Sequence, residues 1–230
     1  KLPSPFVRKS YKFEIKRIRV PKTMPVSTVI LAAGLSRRMG FPKALLSHQG
    51  SSFVQSMTKK ALDAGSAQVI VVTADANEGF PFKKNDALKE LADIMQIHGS
   101  KIRLIQGQSD GHPIDSLRHA ISESPPQNAL CLWPIDYPFA EASLLQTLFN
   151  HPQRTPENIV IPTTAGKRGH PVLFGKALKA ELLSALADQG AHHIVRRNTN
   201  RVVLFATTNP NIAVDLNTPQ EAAALGIKIH

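Results

Sequence analysis

Val26-Ser27-Thr28-Val29-Ile30-Leu31-Ala32-Ala33-Gly34-Leu35-Ser36-Arg37-Arg38-Met39-Gly40-Phe41-Pro42-Lys43 is the stretch on which the fold turns. Its first half is a compact apolar run rich in β-branched residues, the pattern of a parallel strand buried on both faces. The run ends at Gly34, and a cationic loop with two glycines follows. In open α/β sheets, ligands bind beyond the carboxyl ends of the strands. Small residues at such an exit let backbone N–H groups approach a phosphate, and Arg37, Arg38 and Lys43 add positive charge beside them. The spacing is not that of a P-loop, because five residues separate Gly34 from Gly40. No Gly-x-Gly-x-x-Gly occurs either. On this segment alone, a plain strand-to-helix turn with solvated arginines reads equally well.

Outward from this stretch, strand and helix patterns alternate. Residues 52–64 place Phe53, Met57, Ala61 and Ala64 on one helical face. Gln68–Ala74 reads as a second buried strand, 84–97 as a helix carrying Leu88, Leu91, Ile94, Met95 and Ile97, and Lys101–Gln106 as a short strand. A helix over 114–122, a strand over Ala129–Trp133 and a helix over 141–149 complete the first half. That alternation predicts a parallel sheet with right-handed crossovers. Beyond it, Ile159–Pro162 and Pro171–Phe174 read as strands joined by a basic, Gly-containing connection, Thr163–His170. A helix over 176–187, a strand over Arg201–Ala206 and a closing helix over 219–225 follow. The predicted fold is α/β: three layers, α/β/α, around a mostly parallel but mixed sheet.

The chain's 230 residues, 42% hydrophobic and 20% charged, suffice for one such domain with a sizeable core. Its single cysteine, Cys131, excludes an internal disulfide framework and a cysteine-based zinc site. Within Ala-Leu-Cys-Leu-Trp (129–133), it reads as a small buried hydrophobe. No apolar stretch reaches the ~18 residues of a membrane span, and the N-terminus lacks the apolar core of a secretory signal. A cytoplasmic, reducing location is therefore expected. The net charge of +11 divides unevenly: residues 1–23 carry eight basic residues against Glu14, leaving twenty basic against sixteen acidic in 24–230. Residues 1–23 read either as a basic arm able to meet phosphate backbones by charge or as a leader outside the folded body. The body, 24–230, is only mildly basic and lacks aromatics interleaved with basic residues, which argues against nucleic acid as its partner.

The loop closing β-run 26–33 resembles the signature Leu-Ala-Ala-Gly-x-(Ser)-x-Arg-Met-Gly-x-x-Lys of nucleotidyltransferases related to molybdenum cofactor guanylyl- and cytidylyltransferases, the MobA-like NTP transferases. Leu31, Ala32, Ala33, Gly34, Ser36, Arg38, Met39, Gly40 and Lys43 match it. The resemblance implies a Rossmann-like nucleotide-diphospho-sugar transferase fold. It further implies that this loop wraps a nucleoside triphosphate, with Arg38 and Lys43 neutralising the phosphates and the leaving pyrophosphate.

Other segments fit the same family in order along the chain. Leu132-Trp133-Pro134-Ile135-Asp136-Tyr137-Pro138 is similar to the strand-end motif whose aspartate holds Mg²⁺, which puts Asp136 in that role. Gly169-His170-Pro171-Val172-Leu173-Phe174 resembles a segment of the cytidylyltransferase-like branch, with Gly169 and His170 on the acceptor side. Val214-Asp215-Leu216-Asn217-Thr218-Pro219 is similar to the ending that carries the second metal ligand, here Asn217 where Asp is commoner, with Asp215 two residues earlier and also on the acceptor side. Asn217 or Thr218 before Pro219 is also a helix N-cap pattern, compatible with metal binding. Gly107–Leu117 resembles the base-reading loop, matched best at Gly111 and Ser116, with Asp115 replacing a small residue. Gln189–His193 resembles an Asp-x-Gly-Ala-Arg stretch, with His192 in the arginine's place.

The expected activity is therefore a Mg²⁺-dependent transfer of a nucleoside monophosphate from an NTP, CTP before GTP, to a phosphate-bearing acceptor such as molybdopterin. A molybdoenzyme or cofactor-insertion protein is the implied partner. Two readings stand beside it: a sugar- or polyol-phosphate nucleotidyltransferase, and a nucleotide-binding module without turnover, suggested by Asn217, His192 and Asp115.

Overall fold

The computed structural model describes residues 24–75, 79–107, 113–186 and 190–229. β1 (Val26–Leu31) is central because both of its faces can be buried: Ile30 enters one core and Val29 the other, each fully covered. A hairpin of β2 (Ser47–His48) and β3 (Ser51–Ser52) leads into α1 (Phe53–Asp63), whose N-cap Ser52 accepts from the Gln55 amide. β4 (Gln68–Thr73) follows.

The helix expected over 84–97 is two helices, α2 (Lys84–Glu90) and α3 (Ala92–His98), broken at Leu91 (φ −100°, ψ 4°). On one straight helix Ile97 would lie opposite Leu88, so no single stripe could bury the whole set. The break keeps Leu91 buried and leaves Ile97 78% exposed. β5 (Ile102–Gln106), α4 (Pro113–Glu123), β6 (Ala129–Pro134) and α5 (Ala142–Phe149) then follow as expected.

The second half departs more from the sequence reading. β7 (Ile159–Thr164) turns back through Ala165 and Gly166, both at positive φ, into β8 (Lys167–Arg168), so the expected connection is a hairpin. β9 (Val172–Phe174) precedes α6 (Leu178–Ser184), which is shorter than the expected 176–187. α7 (Gly190–Arg197), not foreseen as a helix, leads to β10 (Val202–Ala206) and α8 (Pro219–Ala224).

Among the described residues, the main sheet runs β10-β7-β9-β6-β1-β4-β5, with β8 paired to β7. β6, β1, β4 and β5 are mutually parallel; β9 runs antiparallel between β6 and β7, which makes the sheet mixed. One core lies under α1, α2, α5 and α8, and the other under α4, α6 and α7. The three-layer α/β/α architecture is thus the expected one. Cys131 is buried within β6, and burial pushes its thiol up to about 12, which makes it a packing residue. Among the described residues, no helix is long and apolar enough to cross a membrane. The basic segment 1–23 lies outside the described residues.

Candidate active site

The carboxyl ends of β1 and β6 open onto a cavity of about 400 Å³. Its first wall is the loop after β1. The Ala32 amide bonds to the Val72 carbonyl, carrying the sheet one residue further (3.0 Å). The chain then turns at Ser36, which holds a positive φ of 49°. The Ser36 carbonyl accepts from the Met39 and Gly40 amides, both at 3.0 Å, while its hydroxyl accepts from the Lys43 amide at 3.2 Å. Gly40 (φ 67°) supplies the left-handed residue that closes this turn. Met39, 2% exposed, roots the loop in the core, so Arg38 and Lys43 are displayed from a fixed base.

The second wall follows β6. The Ile135 amide bonds to the Leu31 carbonyl (3.1 Å), and the indole N–H of buried Trp133 donates to the Tyr137 carbonyl (2.8 Å), fixing the turn that bears Asp136. The third wall comes from the other end of the chain. The Leu216 amide donates to the Asp136 carbonyl at 3.0 Å. Thr218 and Glu221 form a capping box at α8, in which the Glu221 carboxylate accepts from the Asn217 and Thr218 amides at 2.7 and 2.9 Å. These backbone bonds hold the Glu221 carboxyl below its ordinary pKa. With its backbone so held, Asn217 Oδ1 accepts from Arg38 Nη2 at 2.8 Å and from Lys43 Nζ at 2.9 Å.

The electrostatics centre on Asp136. Burial raises its pKa, Lys43 works against that rise, and Asp215, in side-chain hydrogen-bond contact, adds to it. Burial lowers Lys43, with Asp136 and Asp215 pulling its pKa back up. Tyr137 is raised by burial, then by Asp215 and Asp136, and its ring lies against His170 with centroids 4.3 Å apart. Burial lowers His170 to about 4, so its imidazole is neutral near pH 7, and its buried Nδ1 has no hydrogen-bond partner among the described residues.

His170 lines a second cavity, of about 280 Å³, floored by Leu132, Ile161, Val172 and Phe174 and edged by Arg168, His192 and Arg196. Gly169 belongs to it as well, held by its amide on the Pro162 carbonyl (2.8 Å).

The structure therefore brings Leu31, Ala33, Gly34, Ser36, Arg38, Lys43, Ser116, Asp136 and Asn217 to one cavity. Ala32 sits behind that wall, 2% exposed in the core. Gly169 and His170 lie in the second cavity, and Asp215, expected on the acceptor side, stands beside Asp136 while its charge also reaches His170. Gly111 and Gln189 lie outside the described residues. Asp115 does not line the cavity: its carboxylate accepts from Arg118 Nη1 at 2.5 Å, and Arg118 also donates to the Leu183 and Ala185 carbonyls. That clamp ties α4 to the end of α6. Sequence reasoning placed Tyr137 and Arg168 inside or beside their motifs without giving either a role, and did not single out Arg196, which edges the second cavity. For Arg196, the available signal was the Arg196-Arg197 pair, since basic residues favour a helix's last turn.

Residues 28–202 match the family described as the MobA-like NTP transferase domain. The chain belongs to the MobA-like NTP transferase family. A curated relative, the molybdenum cofactor guanylyltransferase of Shewanella sediminis (strain HAW-EB3), is 26% identical over 211 residues, covering 88% of this chain and 96% of that protein. Among solved structures, the manganese complex of Rv0371c from Mycobacterium tuberculosis H37Rv is similar at a TM-score of 0.64 and 20% identity, covering 87% of this chain and 97% of that one. Molybdopterin-guanine dinucleotide biosynthesis protein A from Archaeoglobus fulgidus is similar at 0.59 and 16%, covering 86% and 96%. These structures share the fold.

This MobA-like transferase is a nucleotidyltransferase, and its cavity can be tested for a metal. Among the described residues, no group of three or more His, Cys, Asp or Glu gathers where it could hold one. Asp136 lines the cavity, Asp215 stands beside it, and the Asn217 amide oxygen, here accepting from Arg38 and Lys43, is a further hard donor; none of the three brings nitrogen or sulfur. That set fits Mg²⁺, which takes one or two carboxylates and leaves its other positions to water and phosphate oxygens; it does not fit a closed zinc site.

Proposed function

We propose that this protein transfers a nucleoside monophosphate from GTP to the phosphate of a molybdopterin-type acceptor, releasing pyrophosphate. The observation that carries the reading is the convergence of Arg38, Lys43, Asp136 and Asn217 at the glycine loop. An acceptor phosphate oxygen attacks the α-phosphorus; a new P–O bond forms, the bond to the β-phosphate oxygen breaks, and that oxygen leaves on pyrophosphate with the electron pair. No protein nucleophile is needed; the chain's task is positioning and charge stabilisation.

The backbone of 33–36 cradles phosphate, and Arg38 and Lys43 meet the charge that grows on the leaving group. Ser116, projecting from α4, borders the nucleoside. Mg²⁺ would be held by Asp136 with Asp215 beside it, and by the Asn217 amide oxygen only once Arg38 and Lys43 have left it for the phosphates; it would supply charge neutralisation there. Gly169, His170, Arg168 and Arg196 form the acceptor side: an apolar floor for a flat ring, an uncharged imidazole whose Nδ1 has no partner among the described residues, and cations for the acceptor's phosphate.

GTP is preferred because the curated relative at 96% coverage is named a guanylyltransferase. CTP is the second reading, favoured by the likeness of Gly169–Phe174 to the cytidylyltransferase branch. Pyrophosphate release over the four NTPs, with and without Mg²⁺ and molybdopterin, tests both. Release is expected only with all three components and fastest with GTP. Fastest release with CTP moves the assignment to that branch, and NTP binding without release under any acceptor supports a module that has lost turnover.

A further inference from the structure

Two cations converge on one neutral oxygen. Arg38 Nη2 and Lys43 Nζ both donate to Asn217 Oδ1, at 2.8 and 2.9 Å, which uses both lone pairs of the amide. Neither cation belongs to an ion pair among the described residues. Asp136 and Asp215 act on Lys43 only through their fields. Asn217 itself is fixed from both sides: the Leu216 amide is held by Asp136 and the Asn217 and Thr218 amides by Glu221. The cations therefore come to a preset oxygen.

We propose that Asn217 is a positioning residue that holds Arg38 and Lys43 in place until a polyphosphate takes them, its lack of charge being what lets them go. The proposal rests on the reading of this cavity as a triphosphate site. An amide oxygen is a weaker partner for a cation than an ionised phosphate oxygen, so the exchange runs towards the ligand. Holding two long side chains beforehand spares the entropy of ordering them during binding. A carboxylate at the same position would carry its own charge and compete with phosphate for both cations. The commoner aspartate is thus replaced by a group that orients without trapping.

The test is a cycle of wild type, N217D, K43M and N217D/K43M, read as inorganic tripolyphosphate binding by calorimetry in EDTA and as melting temperature. N217D should melt higher than wild type yet bind tripolyphosphate about tenfold or more weakly, because its carboxylate keeps the cations. In the K43M background the weakening caused by N217D should shrink by roughly threefold or more, since one trapped cation is gone. Equal weakening in both backgrounds would mean simple repulsion and overturn the proposal. So would N217D binding as tightly as wild type, or a wild type that does not bind tripolyphosphate. A wild type that binds tripolyphosphate but releases no pyrophosphate from any NTP would refute the enzymatic reading while leaving this comparison intact.

Discussion

The Leu216 amide donates to the Asp136 carbonyl at 3.0 Å, and this bond seats the segment before α8 against the exit of β6. It brings the exposed Asp215 close enough for its charge to act on the more buried Asp136. Because burial and Asp215 raise the Asp136 pKa, its charge is carried at a cost to folding. Asp136→Asn should therefore melt no lower than wild type while Mg²⁺-dependent pyrophosphate release falls by about a hundredfold or more. Wild-type release rates in Mg²⁺ would remove Asp136 from the site.

Arg38 reaches the cavity from a loop rooted by Met39, and its guanidinium, still exposed to solvent, donates to the Asn217 amide oxygen at 2.8 Å. Its charge is needed most as the α–β bond breaks. Arg38→Ala should lower kcat by roughly a hundredfold with a smaller rise in the KM for NTP. A change confined to KM would make Arg38 a ground-state binding residue.

Gly169 admits no side chain. A Cβ there would stand 2.6 Å from Ile212 Cδ1, 2.7 Å from Ile212 Cγ1 and 2.8 Å from the Ile212 carbonyl oxygen. The neighbouring His170 amide also bonds to that carbonyl at 3.0 Å. Gly169→Ala should cost about 1–3 kcal/mol in urea unfolding, with Ile212→Val recovering part of it by removing Cδ1. Unchanged unfolding in Gly169→Ala would mean that the link between β8 and β9 and the Ile212 turn separate freely.

Lys179 is 7% exposed, and its ammonium donates to Ser124 Oγ (2.8 Å) and to the Pro125 carbonyl (2.7 Å). Burial lowers its pKa from 10.5 to about 8. Between those values the unfolded chain binds more protons, so this group's contribution to stability rises with pH across the window and is unfavourable below it. Relative to Lys179→Met, wild type should gain about 1–3 kcal/mol of unfolding free energy between pH 8 and 10.5. A difference that stays flat with pH would show that the ammonium is not desolvated.

The glycine loop and the alternation of Val26–Ala33, 52–64, Gln68–Ala74 and 114–122 were legible because period and turn chemistry are local properties of the chain. Where the local signal was weak, the reading failed: the apolar positions of 84–97 fit no single stripe, and α7 carries only one fully buried apolar side chain, Ile194.

The sequence by itself determined the parallel first half of the sheet, the cationic loop at its central strand and the aspartate at the exit of β6. Only the tertiary structure decided what each polar side chain meets. Asp115 was open to a base and is instead held by Arg118. Asp215 stands beside Asp136, and Asn217, read as a metal ligand, accepts from Arg38 and Lys43, 179 and 174 residues away. A strand forms from neighbours in sequence, but a side-chain hydrogen bond needs its donor within about 3 Å, and for these residues that distance is set by how β1, β6 and the approach to α8 pack together.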